Sequence, residues 1–321
     1  MKKCLSIVIV NYDTNELTVQ CLKSIEQTRP GDLDLQIIIV DNASPNDDPS
    51  QILESFPDVN LIVNDRNLGF GVANNIGISR CTGDYILLLN SDTILHEGCL
   101  KNCTDFLASE FVRDHNINLI GCNVKNEDGT DQYSIFKEHA PLKYFFTSNA
   151  LLTRFFFRNH ETFDFSKSQF VSGVSGCFMM FKIDIFSKVK PFDPDFFMYS
   201  EEVELCRNRL SKYAKIYYYS GASITHLRGK SSPKKSALYL NMLSFALYRY
   251  KMGWRDYLLY CLATFFNIAT LCLLLPYGYL RRKSWYITEL QGYLKILPYI
   301  FFQIPRYPRS WGSRPQFLKF T

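Results

Sequence analysis

The chain has 321 residues, 47% hydrophobic and 21% charged, values ordinary for a folded enzyme with one large domain and an appendage. Its ten cysteines form no CxxC pair and no metal-finger spacing. Most sit in apolar runs, so they read as reduced core thiols of a cytosolic protein. The net charge of +5 is uneven: after Glu204 the only acidic residues are Asp256 and Glu289, which fits nucleic acid or an anionic membrane surface as partner. Met1-Lys2-Lys3 leads straight into a strand-like run without a cleavage pattern, so no signal peptide is expected.

In chain order, Ser6–Val10 is β-rich and closes on Asn11-Tyr12. Leu17–Gln27 follows with Leu17, Cys21, Leu22 and Ile25 at helical spacing and Glu16 near its start. Gln36–Val40 is a second strand, ending in the turn Asp41-Asn42-Ala43-Ser44-Pro45, with a helix over Ile52–Phe56 behind it. Asn60–Val63 reads as strand, Asn74–Arg80 as helix and Tyr85–Asn90 as a fourth strand. This rhythm predicts an α/β fold with a mostly parallel, doubly wound sheet. Gly98–Ser109 then reads as helix, Ile117–Val124 as strand and Val171–Phe181 as a buried strand. Asp193–Phe197 reads as a turn, and Ser200–Ser211 as a helix with Ser200 at its N-cap and Glu201-Glu202 in its first turn. Ile216–Tyr219 and Ala222–Thr225 are two short extended pieces. Tyr133–Phe165, rich in Phe and His, has no clean period and reads as loop or small helices beside an acceptor.

From Leu238 the texture changes. Tyr257–Leu280 carries no charge and is long enough for a hydrocarbon core of ~30 Å. Arg249, Lys251 and Arg255 flank it on one side and Arg281-Arg282-Lys283 on the other, which is awkward for a single span. An embedded hairpin with Leu294–Ile304, interfacial helices, or a buried soluble helix pair all remain open. Nucleic acid is disfavoured, because an apolar run between the charges has no role there.

Tyr85–Asn90 carries no period of its own, as suits a strand buried on both faces, and it ends abruptly in Asn90-Ser91-Asp92. Taken alone this is a strand end capped by turn formers. At the carboxyl edge of an α/β sheet, however, a carboxylate is also a natural place for a divalent cation holding a diphosphate. Arg66-Asn67-Leu68-Gly69-Phe70-Gly71 supplies glycines for close backbone approach and amide and guanidinium donors for an anion. It lacks both the dinucleotide spacing and the phosphate loop ending in Gly-Lys-Ser/Thr.

Together these residues resemble the inverting nucleotide-sugar glycosyltransferases of family two, with the GT-A fold. The resemblance runs in order through Ser6–Tyr12, Val40–Ser44, Asn67–Phe70, Leu89–Thr93, Gly173–Met180, Phe192-Asp193, Phe196–Cys206 and Ile224–His226. It covers about Ser6 to Ser232 and is most similar to the rhamnosyltransferase branch that builds bacterial surface polysaccharides. It implies a catalytic domain over residues 1–232 and a basic, aromatic-rich, membrane-associating helical region over 233–321.

The resemblance also implies roles. Asn11 and Tyr12 would face the nucleobase, where a Tyr can stack; Asp41 and Asn42 would meet base and ribose, and Arg66 and Asn67 the ribose and diphosphate. Asp92 matches the last Asp of the family's metal motif, and His226 a histidine that completes that site. Asn90 stands where many relatives have Asp, and offers a carbonyl or acts through a water. The cofactor implied is a divalent cation, Mg²⁺ or Mn²⁺. Glu201-Glu202 replaces the family's Glu-Asp, and Glu202 is the candidate base for the acceptor hydroxyl, with Glu201 second; two carboxylates at a helix N-terminus are also plain dipole partners. Glu204 is expected on the helix surface or against the acceptor.

The implied reaction is single in-line displacement from a nucleoside-diphosphate sugar to a glycan or polyprenyl-diphosphate-linked acceptor, at the cytoplasmic face of the plasma membrane. The enzyme would be peripheral or hairpin-anchored there. Nucleotidyl transfer to a sugar phosphate would need a Gly-rich basic loop after the first strand, and Asn11-Tyr12-Asp13-Thr14 is not one. The second reading is a catalytically degenerate GT-A module that binds a nucleotide-sugar or scaffolds a membrane complex, kept open by Asn90 and Glu202.

Overall fold

The computed structural model describes residues 3–136, 163–227, 234–280, 285–306, 309–310 and 312. They fall into two compact units, one drawn from Met1–Lys137, Asp164–Asp193 and Glu201–Ser232, the other from Glu138–Phe163, Pro194–Ser200 and Pro233–Thr321.

In the first unit the strands are β1 (Lys3–Asn11), β2 (Leu33–Asp41), β3 (Asn60–Val63), β4 (Tyr85–Asn90), β5 (Thr93–Leu95), β6 (Ile117–Lys125), β7 (Ile135–Phe136), β8 (Gln169–Val171), β9 (Gly173–Val174), β10 (Phe178–Lys182) and β11 (Lys215–His226). Nine of them form a mixed sheet in the order β3-β2-β1-β4-β10-β6-β11-β5, with β8 on β11; β7 and β9 pair separately. β1, β2, β3 and β4 run parallel, and the register sets Asn11 opposite Asp41 and Val10 opposite Asn90. That alignment delivers the three expected site residues to one carboxyl edge, where open α/β sheets take ligands.

The apolar runs work because both faces are covered. The helices are α1 (Asn15–Gln27), α2 (Gln51–Ser55), α3 (Phe70–Ile78), α4 (Cys99–Leu107) and α5 (Glu110–Asp114). Leu5, Ile7 and Ile9 of β1 join Cys21, Leu22 and Ile25 of α1 and Leu100, Cys103 and Leu107 of α4 in one core. The alternate residue Val8 faces α3, where Gly77 lies so close that a Cβ would sit 2.3 Å from a Val8 methyl. Strand alternation thus feeds two helical layers, which is why this sheet reads as unbroken apolar runs.

Three elements differ from the sequence reading. Val171–Phe181 is three short strands, with Gly173 packed against Cys206 and Phe136; β10 then runs antiparallel between β4 and β6. The two extended pieces near residue 220 are one strand with a register shift between Tyr219 and Ser223, where Gly221 lets the Tyr219 ring fold over the backbone. The shift turns the strand end onto β5, pairing His226 with Thr93. Finally, Ser200 has φ +65°, so it is not the extended N-cap expected there, and Tyr199 before it has φ +70°. The helix that follows, α6 (Glu201–Glu204), widens into a π turn over Leu205–Arg209 and tightens into a 3₁₀ turn over Leu210–Lys212. Most of Tyr133–Phe165 lies outside the described residues.

The second unit contains α7 (Lys234–Met252), α8 (Trp254–Leu280) and α9 (Trp285–Pro298), the last continuing through a π turn over Tyr299–Gln303. Leu243, Ala246 and Tyr250 pack with Tyr257, Tyr260 and Cys261 and with Ile296, Ile300 and Ile304. Tyrosine hydroxyls tie the bundle, Tyr257 donating to the Ile300 carbonyl at 2.6 Å and Tyr260 to the Met242 carbonyl at 3.1 Å. One helix among the described residues is long and apolar enough to cross a membrane, over Trp254–Leu274. Its other face exposes Leu258, Leu262, Phe265, Phe266 and Leu273, and Phe265 meets Phe301 at 5.3 Å between ring centres. The basic cluster expected before it is not a surface cluster: Arg249 is buried against Asp256 at 3.1 Å and Lys251 against Asp195 at 2.6 Å, leaving Arg255 exposed. Each cation sits there because an acid neutralises it.

Candidate active site

At the carboxyl edge of β1 and β2 the polar residues build a web. Asn11 Nδ2 donates to Asp41 Oδ1 at 2.8 Å and to Asn15 Oδ1 at 3.0 Å, while its Oδ1 accepts from Thr14 and Thr18 hydroxyls. Asp41 accepts further from the Ser44 amide at 3.0 Å and the Ser44 hydroxyl at 2.6 Å. Asn42 does the same for the next loop: its Nδ2 donates to Asn67 Oδ1 at 2.9 Å, and its Oδ1 accepts from Asn64 Nδ2 and the Leu68 amide. Asn67 Oδ1 also accepts from the Gly69 amide at 2.9 Å, fixing the entry to α3. Asn11, Asp41 and Asn42 are buried, so they shape the two loops from beneath; Tyr12, 38% exposed, and Arg66 are the expected donor contacts that reach the surface. Ala43, at φ +61°, lets the turn double back over Asp41.

The tip of β4 carries the second group. Asp92 is 2% exposed, and its Oδ1 lies 3.2 Å from His226 Nε2. Asn90 Nδ2 lies 3.4 Å from the same nitrogen. The pairing of β11 with β5, directly after Asp92, is what delivers His226. On its far side Gln132 Nε2 donates to His226 Nδ1 at 3.0 Å, while Gln132 Oε1 is buried with no partner among the described residues. Gln132 was invisible to sequence reasoning, since it follows no motif and sits in the turn after β6.

These residues fit a divalent cation. Two neighbouring ligands each ~2.1 Å from one ion lie about 3 Å apart, which is the Asp92–His226 spacing. Turning the Gln132 amide over gives its orphaned oxygen the His226 Nδ1–H as donor and leaves the Nε2 lone pair facing Asp92. Among the described residues no three His, Cys, Asp or Glu side chains form a self-sufficient cage. A Mg²⁺-like ion takes only one or two carboxylates and completes its shell with water and phosphate, so two protein donors suffice.

The third group is Glu201-Glu202. Glu201 is 3% exposed, with its Cγ 3.6 Å from where a Cβ on Gly71 would lie. Burial, then the neighbouring Glu202 charge, pushes the Glu201 carboxyl well up from its ordinary range. Burial also lifts Glu202, to about 7, against the pull of the Glu202 and Val203 amides. Among the described residues, Glu201 Oε2 and Glu202 Oε2 are sealed from solvent and find no hydrogen-bond partner. Cys177 links the groups: its carbonyl accepts from the Asn90 amide at 3.2 Å, and its thiol, pushed up to about 11 mainly by burial, also feels Asp92 and Glu202. Glu204 is neither a surface nor an acceptor-facing residue. It is 2% exposed and paired with Arg209, whose Nε lies 2.9 Å from both its oxygens and whose Nη1 reaches the Lys190 and Pro191 carbonyls. A buried carboxylate needs such a partner, and the π turn supplies it five residues on.

A mixed sheet with this strand-edge arrangement is the GT-A fold of the nucleotide-sugar glycosyltransferases. A mannosyltransferase from Pyrobaculum calidifontis, solved with GDP-Man and Mn²⁺, superposes with a TM-score of 0.55 over 92% of this chain and 86% of its own, at 15% identity, a likeness of fold. The profile of glycosyl transferase family 2 matches residues 6–190, more than half of the chain, and the protein belongs to that family of enzymes. It resembles the N-acetylglucosaminyl-diphospho-decaprenol L-rhamnosyltransferase of Mycobacterium tuberculosis, 25% identical over 262 residues, 75% of this chain and 81% of that protein. It is 24% identical to the Staphylococcus aureus poly(ribitol-phosphate) β-N-acetylglucosaminyltransferase TarS over 141 residues, 42% of this chain and 24% of TarS.

Proposed function

We propose that the protein is an inverting, metal-dependent glycosyltransferase that moves a hexosyl or deoxyhexosyl group from a nucleoside-diphosphate sugar to a polyprenyl-diphosphate-linked glycan in surface-polysaccharide synthesis. The buried Asp92–His226 pair at the carboxyl edge of the sheet carries this reading, at 3.2 Å and beside Asn90. In it the acceptor oxygen attacks the anomeric carbon as the bond to the diphosphate breaks, and Glu202 takes the acceptor proton. A base titrating near 7 is matched to that task at neutral pH. Asp92 and His226 would hold Mg²⁺ or Mn²⁺, which when bound neutralises the departing diphosphate. Tyr12 stacks on the base and Arg66 pairs with phosphate, over the floor made by Asn11, Asp41, Asn42 and Asn67; Asn90 contributes from the metal side. The lipid-linked acceptor is supported by the substrate in the mycobacterial relative's name and by the apolar face of α8 with Phe301 and Phe302. That face would seat the region from residue 233 onward on the cytoplasmic membrane surface, with residues 1–232 as the catalytic domain. The test is transfer from a panel of nucleotide-sugars to a polyprenyl-diphosphate glycan, with Asp92→Ala and Glu202→Ala in parallel. Unchanged turnover in both variants sinks the site, and no turnover with any donor favours a degenerate binding module.

A further inference from the structure

The segment Pro194–Ser200 runs directly into the carboxylates and is gripped by α7. Lys251 Nζ lies 2.6 Å from Asp195 Oδ2, with both side chains sealed from solvent, and it also donates to the Ser310 carbonyl at 3.0 Å. Two helical turns earlier on the same face, Ser244 Oγ donates to the Met198 carbonyl at 2.7 Å. Between these anchors Phe196 is fully buried, with Lys251 Nζ 5.9 Å from its ring centre. Tyr199 and Ser200 then take consecutive left-handed conformations, φ +70° and +65°. Residues with side chains stay there only when their surroundings hold them, and strain of this kind collects at functional loops. The next residues are Glu201 and Glu202.

We infer that α7 is a positioning element for the catalytic carboxylates: Lys251, through Asp195, and Ser244, through Met198, hold the left-handed turn Tyr199-Ser200 that aims Glu202. A buried ion pair is a poor source of stability beside apolar residues of equal volume. Its directional contacts do what apolar packing does less well, pinning one loop in one place. The inference rests on Glu202 as the base, and it makes Lys251 and Ser244 positioning residues, since neither touches substrate. It also gives the helical region a part in catalysis.

Ser244→Ala removes one hydroxyl and leaves the fold intact; Lys251→Met is the stronger variant, and Ser244→Thr restores the donor. Near-attack geometry loses about 10²-fold for a displacement of ~1 Å, so Ser244→Ala should lower kcat about tenfold and Lys251→Met about 10²-fold. The KM for the nucleotide-sugar should stay within about twofold, and the acid limb of the pH–rate profile should move. Ser244→Thr should recover most of the turnover. Hydrogen–deuterium exchange at the amides of Glu201–Val203 reads the turn without activity, and it should quicken in Ser244→Ala. Unchanged exchange there overturns the inference, as does a loss confined to KM and melting temperature. A fully active Glu202→Gln enzyme with quickened exchange in Ser244→Ala overturns the base assignment while leaving the positioning role standing.

Discussion

Replacing Glu202 by Gln keeps the shape of the side chain and removes its ionisation, which separates the energetics of the site from its chemistry. Burial lifts this carboxyl from its ordinary 4.5 to about 7. The 2.5-unit difference, at 1.36 kcal/mol per unit, is worth about 3 kcal/mol. The sign follows from proton binding. The folded protein holds this proton more tightly than the unfolded chain, so the stabilisation is complete below about 4.5 and lost as pH rises through about 7. Wild type therefore carries a buried charge at pH 8.5 that the Gln variant does not. Glu202→Gln should be more stable by about 3 kcal/mol at pH 8.5 and by under about 1 kcal/mol at pH 5. At ~2 °C per kcal/mol this is about 6 °C in Tm at the higher pH. Turnover should fall by about 10²–10⁴-fold through loss of the base. Urea unfolding at the two pH values, with transfer assays on the same preparations, measures both. Equal stabilisation at pH 5 and 8.5 refutes the burial argument, and undiminished turnover refutes the base.

In wild type, kcat/KM should fall about tenfold per pH unit below about 7, an acid limb that Glu202→Gln abolishes; a limb near 4 would point to another group. Gln132→Leu should weaken Mn²⁺ binding, followed by calorimetry, by about 10–100-fold through loss of the His226 partner. Unchanged affinity would leave His226 oriented by something else. Gly77→Ala pushes a Cβ to 2.3 Å from a Val8 methyl and should cost about 1–3 kcal/mol in urea unfolding, with the metal site untouched. Phe265→Asp with Phe266→Asp should release the protein from anionic vesicles in flotation, since both rings lie on the exposed face of α8; continued flotation would place the membrane contact elsewhere.

The central strands of the first unit, β1, β2 and β4, could be read because each is an apolar run buried along most of its length that ends in polar turn residues at one edge. Tyr85–Asn90 and Asn60–Val63 are observed at the bounds expected for them. What stayed hidden depends on partners distant in sequence. The three residues of β5 have meaning only through β11, and the bend that joins them rests on a Tyr219 ring over Gly221. Polar residues mislead in the same way. Sequence places Asn11 and Asp41 at a strand end, but it does not say that their polar atoms are spent on each other, Ser44, Thr14 and Thr18. The burial of Glu204, expected on the helix surface or against the acceptor, and of Arg249 and Lys251, which flank the apolar run, stayed hidden because the groups that neutralise them lie on other turns or other segments. Gln132 had no signal at all beyond its contact with His226.

Asn90 and Glu202 are the two departures from the acidic pattern that the family resemblance implies. Asp92 is buried at the tip of β4, and Glu202 is within electrostatic reach of Cys177, whose carbonyl accepts from the Asn90 amide. A carboxylate at position 90 would bring a second negative charge beside Asp92 and His226. An amide at 90 adds no charge, keeps a carbonyl for a cation or its water, and leaves its nitrogen 3.4 Å from His226. The longer Glu at 202 is raised by burial, beside a Glu201 that burial and the Glu202 charge also push up. Asn90→Asp sets a second carboxylate beside the Asp92–His226 pair and should tighten Mn²⁺ binding in calorimetry; unchanged affinity would leave position 90 outside any cation site.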